Sequence, residues 1–138
     1  ALADPLDARI VEADGYIPEV EARMPGAGKL ESWRAIQALA RGAARDGLTS
    51  GRDVLFDDLM VDPRDREAMA ALARECGAGF LTIYLATPVE TIRERQRRCS
   101  SKPEKHARWE AHTQLLLAQM VAPSRDEAVV VAPDDRPE

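Results

Sequence analysis

Four short apolar runs, separated by stretches with helical spacing, constrain this chain more than any other feature. They are Ile10-Val11, Val54-Leu55-Phe56, Phe80 to Leu85 and Val129 to Val131. The first two are bounded by polar residues, the third runs between Gly79 and Ala86 and the last between Ala128 and Ala132; together they are rich in β-branched side chains, as buried strands are. No two of them are joined by a hairpin turn. Strands that alternate with helices are linked by crossovers, and crossovers give parallel pairing. The expectation is an α/β fold with four strands in a parallel sheet. In such sheets ligands bind beyond the carboxyl ends of the strands. The residues that follow the first two runs are therefore the first place to look for chemistry.

The intervening stretches carry their own signals. Leu30, Trp33, Ile36, Leu39, Ala40 and Ala43 recur at helical spacing, and Gly47 is placed to end that helix after Arg45. Arg66 to Cys76 reads as a second helix, with Met69, Leu72, Ala73 and Cys76 on one face and Gly77 as the stop. Thr87-Pro88-Val89-Glu90 reads as an N-cap, a first-turn Pro and a capping box opening a helix to about Arg98. Ser101-Lys102-Pro103-Glu104 reads as a second capping box, for a helix through Trp109, Thr113, Leu116 and Met120. Tyr16 to Gly28, broken by Pro and Gly, is expected to be irregular.

Composition narrows the function classes. With 138 residues and 45% hydrophobic content the chain is expected to form one globular domain. A formal net charge of −5 argues against a general nucleic-acid or anionic-membrane surface. Cys76 and Cys99 form no CxxC pair, which suits two reduced thiols and a cytoplasmic setting. No apolar run approaches membrane-spanning length.

Carboxylates stand where two of the strands end. Asp57 and Asp58 follow Val54-Leu55-Phe56, and Asp14 follows Ile10-Val11. A carboxylate at such an edge can hold Mg²⁺ or accept a proton from a substrate hydroxyl; it can equally cap the following turn. The segment from Arg93 to Arg108 carries a net charge of about +5 in a chain of net −5. Guanidinium forks suit phosphate, and Arg95 and Arg98, three apart, share a helix face. A solvated, ion-paired surface is the alternative. Pro25-Gly26-Ala27-Gly28-Lys29-Leu30 is not a phosphate loop: Arg23 stands where the first Gly is needed, and Leu30 replaces the metal-binding hydroxyl. It reads as a loop entering a helix. His106 and His112, six apart, do not share a helix face, so no metal is expected there.

In order, these pieces resemble the P-loop kinase family, in particular the AAA-type kinases similar to zeta toxins and chloramphenicol phosphotransferases. Ala8 to Asp14 looks like the family's second strand, with Asp14 matching the carboxylate that faces the substrate hydroxyl. Val54 to Asp57 looks like the strand carrying the Walker B-type carboxylate. Leu81 to Ala86, Pro88-Val89-Glu90, Arg95 and Arg98 look like its strand-and-lid pattern. The resemblance implies a three-layer P-loop NTPase-like α/β sandwich with a parallel sheet. Residues 1–138 would form a single partial domain, with a basic lid at about 93–108. The family's first strand, its phosphate loop and most of its first helix have no counterpart in these residues, nor does its last helix, so the chain as given is expected to bind ATP poorly or not at all. For the intact parent the resemblance implies ATP and Mg²⁺ as cofactors and a small-molecule hydroxyl as acceptor. Asp14 would be the base, Asp57 the metal-holding group, and Arg95 and Arg98 the residues that bind and neutralise the phosphoryl group. A non-catalytic binding or assembly module is the competing expectation.

Overall fold

A computed structural model describes residues 7–99 and 102–131. Among these, the chain forms two compact units: residues 7–60 with 67–80, and residues 61–66 with 81–131.

The first unit begins with strand β1 (Arg9–Glu12), a 3₁₀ turn (Ala13–Tyr16) and helix α1 (Ile17–Arg23). This short helix lies in the stretch expected to be irregular. Pro18 sits in its first turn, where a missing N–H costs no hydrogen bond, so Pro starts the helix rather than breaking it. The break comes only after Met24, where Gly26 takes a left-handed φ of 86°. Helix α2 (Lys29–Thr49) follows. It passes straight through Gly47, the residue expected to end it. The turn falls at Gly51 (φ 78°), whose N–H donates to the Leu48 carbonyl while the Arg52 N–H donates to Gly47. Gly47 is needed for another reason: a Cβ there would stand 2.8 Å from Val54 Cγ2 and 3.2 Å from Arg9 Cδ. Its bareness lets α2 lie close against the strands.

Strand β2 (Val54–Asp57) pairs parallel with β1, Arg9 opposite Val54 and Glu12 opposite Asp57. Helix α3 (Pro63–Glu75) starts earlier than its periodicity suggested. Asp62 caps it, its Oδ1 accepting from the Arg64 N–H at 2.9 Å, and Pro63 occupies the first position. Gly77 (φ 71°) ends it, as expected. The core of this unit is Val11, Ala13, Val20, Ile36, Ala40, Ala44, Met69 and Leu72, all buried. The apolar stripe of α2 is covered only from Ile36 onward; Leu30 and Trp33, in its first two turns, are 63% and 39% exposed.

In the second unit, strand β3 (Thr82–Leu85) pairs parallel with β4 (Ala128–Val131), Thr82 opposite Ala128 and Leu85 opposite Val131. Between them run helices α4 (Val89–Cys99) and α5 (Pro103–Gln119). Helix α4 begins one residue later than its capping pattern suggested, with the Pro88 carbonyl accepting from the Ile92 N–H. Lys102 holds the N-cap position of α5 and makes no side-chain cap; the expected cap, Ser101, lies outside the described residues. The buried Arg66 guanidinium donates to Glu127 at 2.6 Å, and the Val121 N–H donates to the Val61 carbonyl. These two contacts tie the start of α3 to the approach to β4.

All pairing among the described strands is parallel, as crossover connections require. The four strands form two separate two-stranded sheets, β1-β2 and β3-β4, where a single sheet was expected. Among the described residues no strand hydrogen-bonds to both β2 and β3.

Candidate active site

The site is assembled by register. Because β1 and β2 run parallel and Glu12 faces Asp57, both strands deliver their carboxyl ends to the same rim. Val11 and Ala13 are buried and fix the end of β1 in the core. The 3₁₀ turn that follows carries Asp14 out to solvent, with the Asp14 carbonyl accepting from the Ile17 N–H. Asp57, the last residue of β2, is likewise exposed. Among the described residues neither carboxylate has a hydrogen-bond or ion-pair partner.

Asp58 is different. Its Oδ1 accepts from the Leu59 N–H at 2.8 Å, and its Oδ2 accepts from Gln37 Nε2 at 2.7 Å. Each Asp58 oxygen thus accepts one hydrogen bond, whereas Asp57 accepts none among the described residues. Two residues later Met60 adopts φ 41°, an uncommon conformation for a non-glycine residue, and packs against the core. Sequence reasoning missed two residues here, Gln37 and Glu12. The parity of the strands and the parallel pairing could have placed Glu12 opposite Asp57. Gln37 gave no signal, because its bond spans 21 positions.

The basic residues lie in the second unit. Arg95 is exposed on α4. Arg98, also exposed, pairs with Glu94 at 2.6 Å, one helical turn away. Arg93 is not available in the same way: it bonds Glu90 on its own helix and Glu110 on α5, each at 2.6 Å. Arg93 holds the Glu110 carboxyl below its ordinary range, helped by Gln114, and Glu110 and Glu90 in turn raise the Arg93 guanidinium. Gln96 Nε2 donates to Thr113 Oγ1 at 2.9 Å. The two helices are thus stitched together, and part of the positive charge of this segment is neutralised. A cavity of about 240 Å³ between them is lined by Arg93, Gln96, Arg97, His106, Ala107 and Glu110. Arg95 and Arg98 do not line it; Arg97 does, and sequence reasoning passed it over.

The chain matches the family model described as an AAA domain over residues 1–123. It belongs to the AAA domain family. This family includes kinases and other nucleotide-binding proteins, and AAA-type domains generally bind nucleotide with Mg²⁺. No curated protein and no solved structure matches the chain. In the AAA domain described here, the mixed α/β architecture with short parallel sheets is consistent with a P-loop-like fold. Among the described residues no helix is long and apolar enough to cross a membrane.

The rim can be tested against the metal the family implies. Among the described residues no three His, Cys, Asp or Glu side chains converge into a cage. A cation that requires an all-protein shell does not fit. Mg²⁺ does fit: it keeps several waters and is held by one or two carboxylates together with substrate phosphates. One solvent-facing, unpartnered carboxylate at the end of a parallel strand supplies what this chain would have to contribute. In the AAA domain the Pro25 to Lys29 stretch leads into α2, with Gly28 at the N-cap in an extended conformation. It is a helix entrance, as expected.

Proposed function

We propose that this AAA domain serves an ATP-dependent transfer of a phosphoryl group to the hydroxyl of a small molecule, in a cytoplasmic protein with neither nucleic-acid nor membrane partners. The observation that carries the reading is the parallel register of β1 and β2, which brings two free carboxylates, Asp14 and Asp57, to one rim. A phosphotransfer site needs little covalent chemistry from the protein; it needs positioning and charge compensation. Asp14 orients the acceptor hydroxyl and takes its proton as the oxygen bonds to the γ-phosphorus of ATP and ADP departs. Asp57 would hold Mg²⁺, and the ion would offset the charge of the phosphate oxygens. The family resemblance, rather than any placement of the second unit, assigns Arg95 and Arg98 to bind and neutralise the transferring group; the exposed pair of Arg98 with Glu94 is weak enough to exchange. The acceptor is placed against the segment between Tyr16 and Leu30, immediately beyond Asp14. A three-layer P-loop sandwich is the architecture in which these roles fit together.

Thermal-shift measurements on the intact protein with ATP·Mg²⁺ and a panel of hydroxyl compounds test the reading. Ligands that bind only the folded state raise the midpoint in a concentration-dependent way. The expected result is a rise with ATP·Mg²⁺ and a further rise with one hydroxyl class. An unchanged midpoint with every nucleotide would favour a non-catalytic module.

A further inference from the structure

Position 37 lies on the buried side of α2, among Ile36, Ala40, Ala44 and Gly47. A Gln at such a position must justify its burial, since a polar group taken from water is costly unless hydrogen-bonded. Gln37 is only 8% exposed, and its Nε2 reaches Asp58 Oδ2 at 2.7 Å. With the Leu59 N–H on Oδ1, this bond leaves the Asp58 carboxylate one orientation. Successive side chains of an extended chain point to opposite sides. Drawing Asp58 toward α2 therefore sends Asp57 the other way, outward at the end of β2.

We propose that Gln37 is a positioning residue of the phosphotransfer site: its amide clamps Asp58, and the clamp fixes the direction in which the Asp57 carboxylate leaves the strand. The inference rests on the assignment of Asp57 as the metal-holding group. It also assigns separate roles to the two adjacent aspartates. Asp57 meets the ion, and Asp58 carries the constraint from the helix.

The test uses Mn²⁺ together with ATP as the probe, on the intact protein, because the ion is held jointly by protein carboxylate and substrate phosphates. Binding is read by paramagnetic broadening of assigned amide signals. In the wild type, broadening should centre on Asp57 and disappear in Asp57→Asn. Gln37→Met keeps the side-chain length but removes the donor. It should weaken Mn²⁺ binding at least threefold and speed hydrogen exchange of the Leu59 amide. Gln37→Asn, one carbon too short to reach, serves as a second variant should the first fail to fold. The exchange pair Gln37→Glu with Asp58→Asn rebuilds the bond with donor and acceptor reversed and should restore affinity to within twofold. Wild-type Mn²⁺ affinity in Gln37→Met, alongside faster Leu59 exchange, would make the clamp merely structural and overturn the inference while leaving Asp57 as the metal group. Absence of broadening at Asp57 in the wild type would overturn both.

Discussion

At the scale of single residues, the adjacent aspartates after β2 are chemically identical and physically unlike. Asp57 faces water without a protein partner among the described residues, whereas Asp58 accepts from Leu59 and from the buried amide of Gln37. Asp58→Ala should destabilise the fold by about 1–3 kcal/mol, because it strands a buried donor. Asp57→Ala should stay within about 0.5 kcal/mol, as exposed substitutions do. Urea unfolding of the two variants, side by side, checks the difference. Asp14 and Asp57 were legible in the sequence because strand ends are marked by the switch from apolar to polar. Gln37 was not legible. Its partner is 21 positions away, and a lone Gln among apolar residues reads as an ordinary helix residue until the fold brings the carboxylate to it.

At the scale of elements, the hydrophobic pattern placed all four strands, and turn chemistry decided where helices begin and end. Gly77 ended α3 as expected, yet Gly47 did not end α2, because the need for close packing on β1 and β2 outranked its capping propensity. The two glycines inside α2 should therefore respond in opposite ways to alanine. Gly47→Ala forces a methyl group into contact with the stiff Val54 side chain and should destabilise by about 1–3 kcal/mol, the usual range for overpacking. A Cβ at Gly42 meets nothing within 4 Å, so Gly42→Ala should stabilise by up to about 1 kcal/mol through helix propensity alone. Thermal or denaturant melts of the pair separate packing from propensity.

The α4–α5 hairpin offers a pH test. Glu110 titrates below its ordinary value of 4.5, chiefly through its bonds from Arg93. Its stabilisation is accordingly present above that value and is lost as the pH falls through the lowered pKa. Glu110→Gln should melt at lower temperature than the wild type at pH 7, and the gap should narrow at pH 3. Circular dichroism melts at the two pH values give the comparison. The basic run suggested a lid over about 93–108. Pairings such as Arg93–Glu110 and Gln96–Thr113 bind the two helices across 17 positions, a long-range fact that a charge count cannot contain.

At the scale of the whole molecule, parallel pairing was legible because helical spacing between strands leaves no room for hairpins. The division into two two-stranded sheets was not, because the apolar runs alone do not say which edges meet. In the β3–β4 pair, Ile83, Leu85, Val129 and Val131 share one face and all are exposed, although parallel sheets are usually covered on both sides. The β1–β2 pair, in contrast, rests on a buried core and presents its carboxylates at a defined rim. The AAA domain match is consistent with a nucleotide-binding architecture, and the rim gives that architecture a candidate reaction. The most direct measurement is transfer of label from γ-labelled ATP to the hydroxyl compound that raises the melting point of the intact protein, compared between wild type and Asp14→Asn. A general base contributes about 10²–10⁴-fold, so the variant should lose at least 100-fold in turnover with its melting temperature unchanged. Full turnover in Asp14→Asn, or no labelled product from the wild type, would contradict the account.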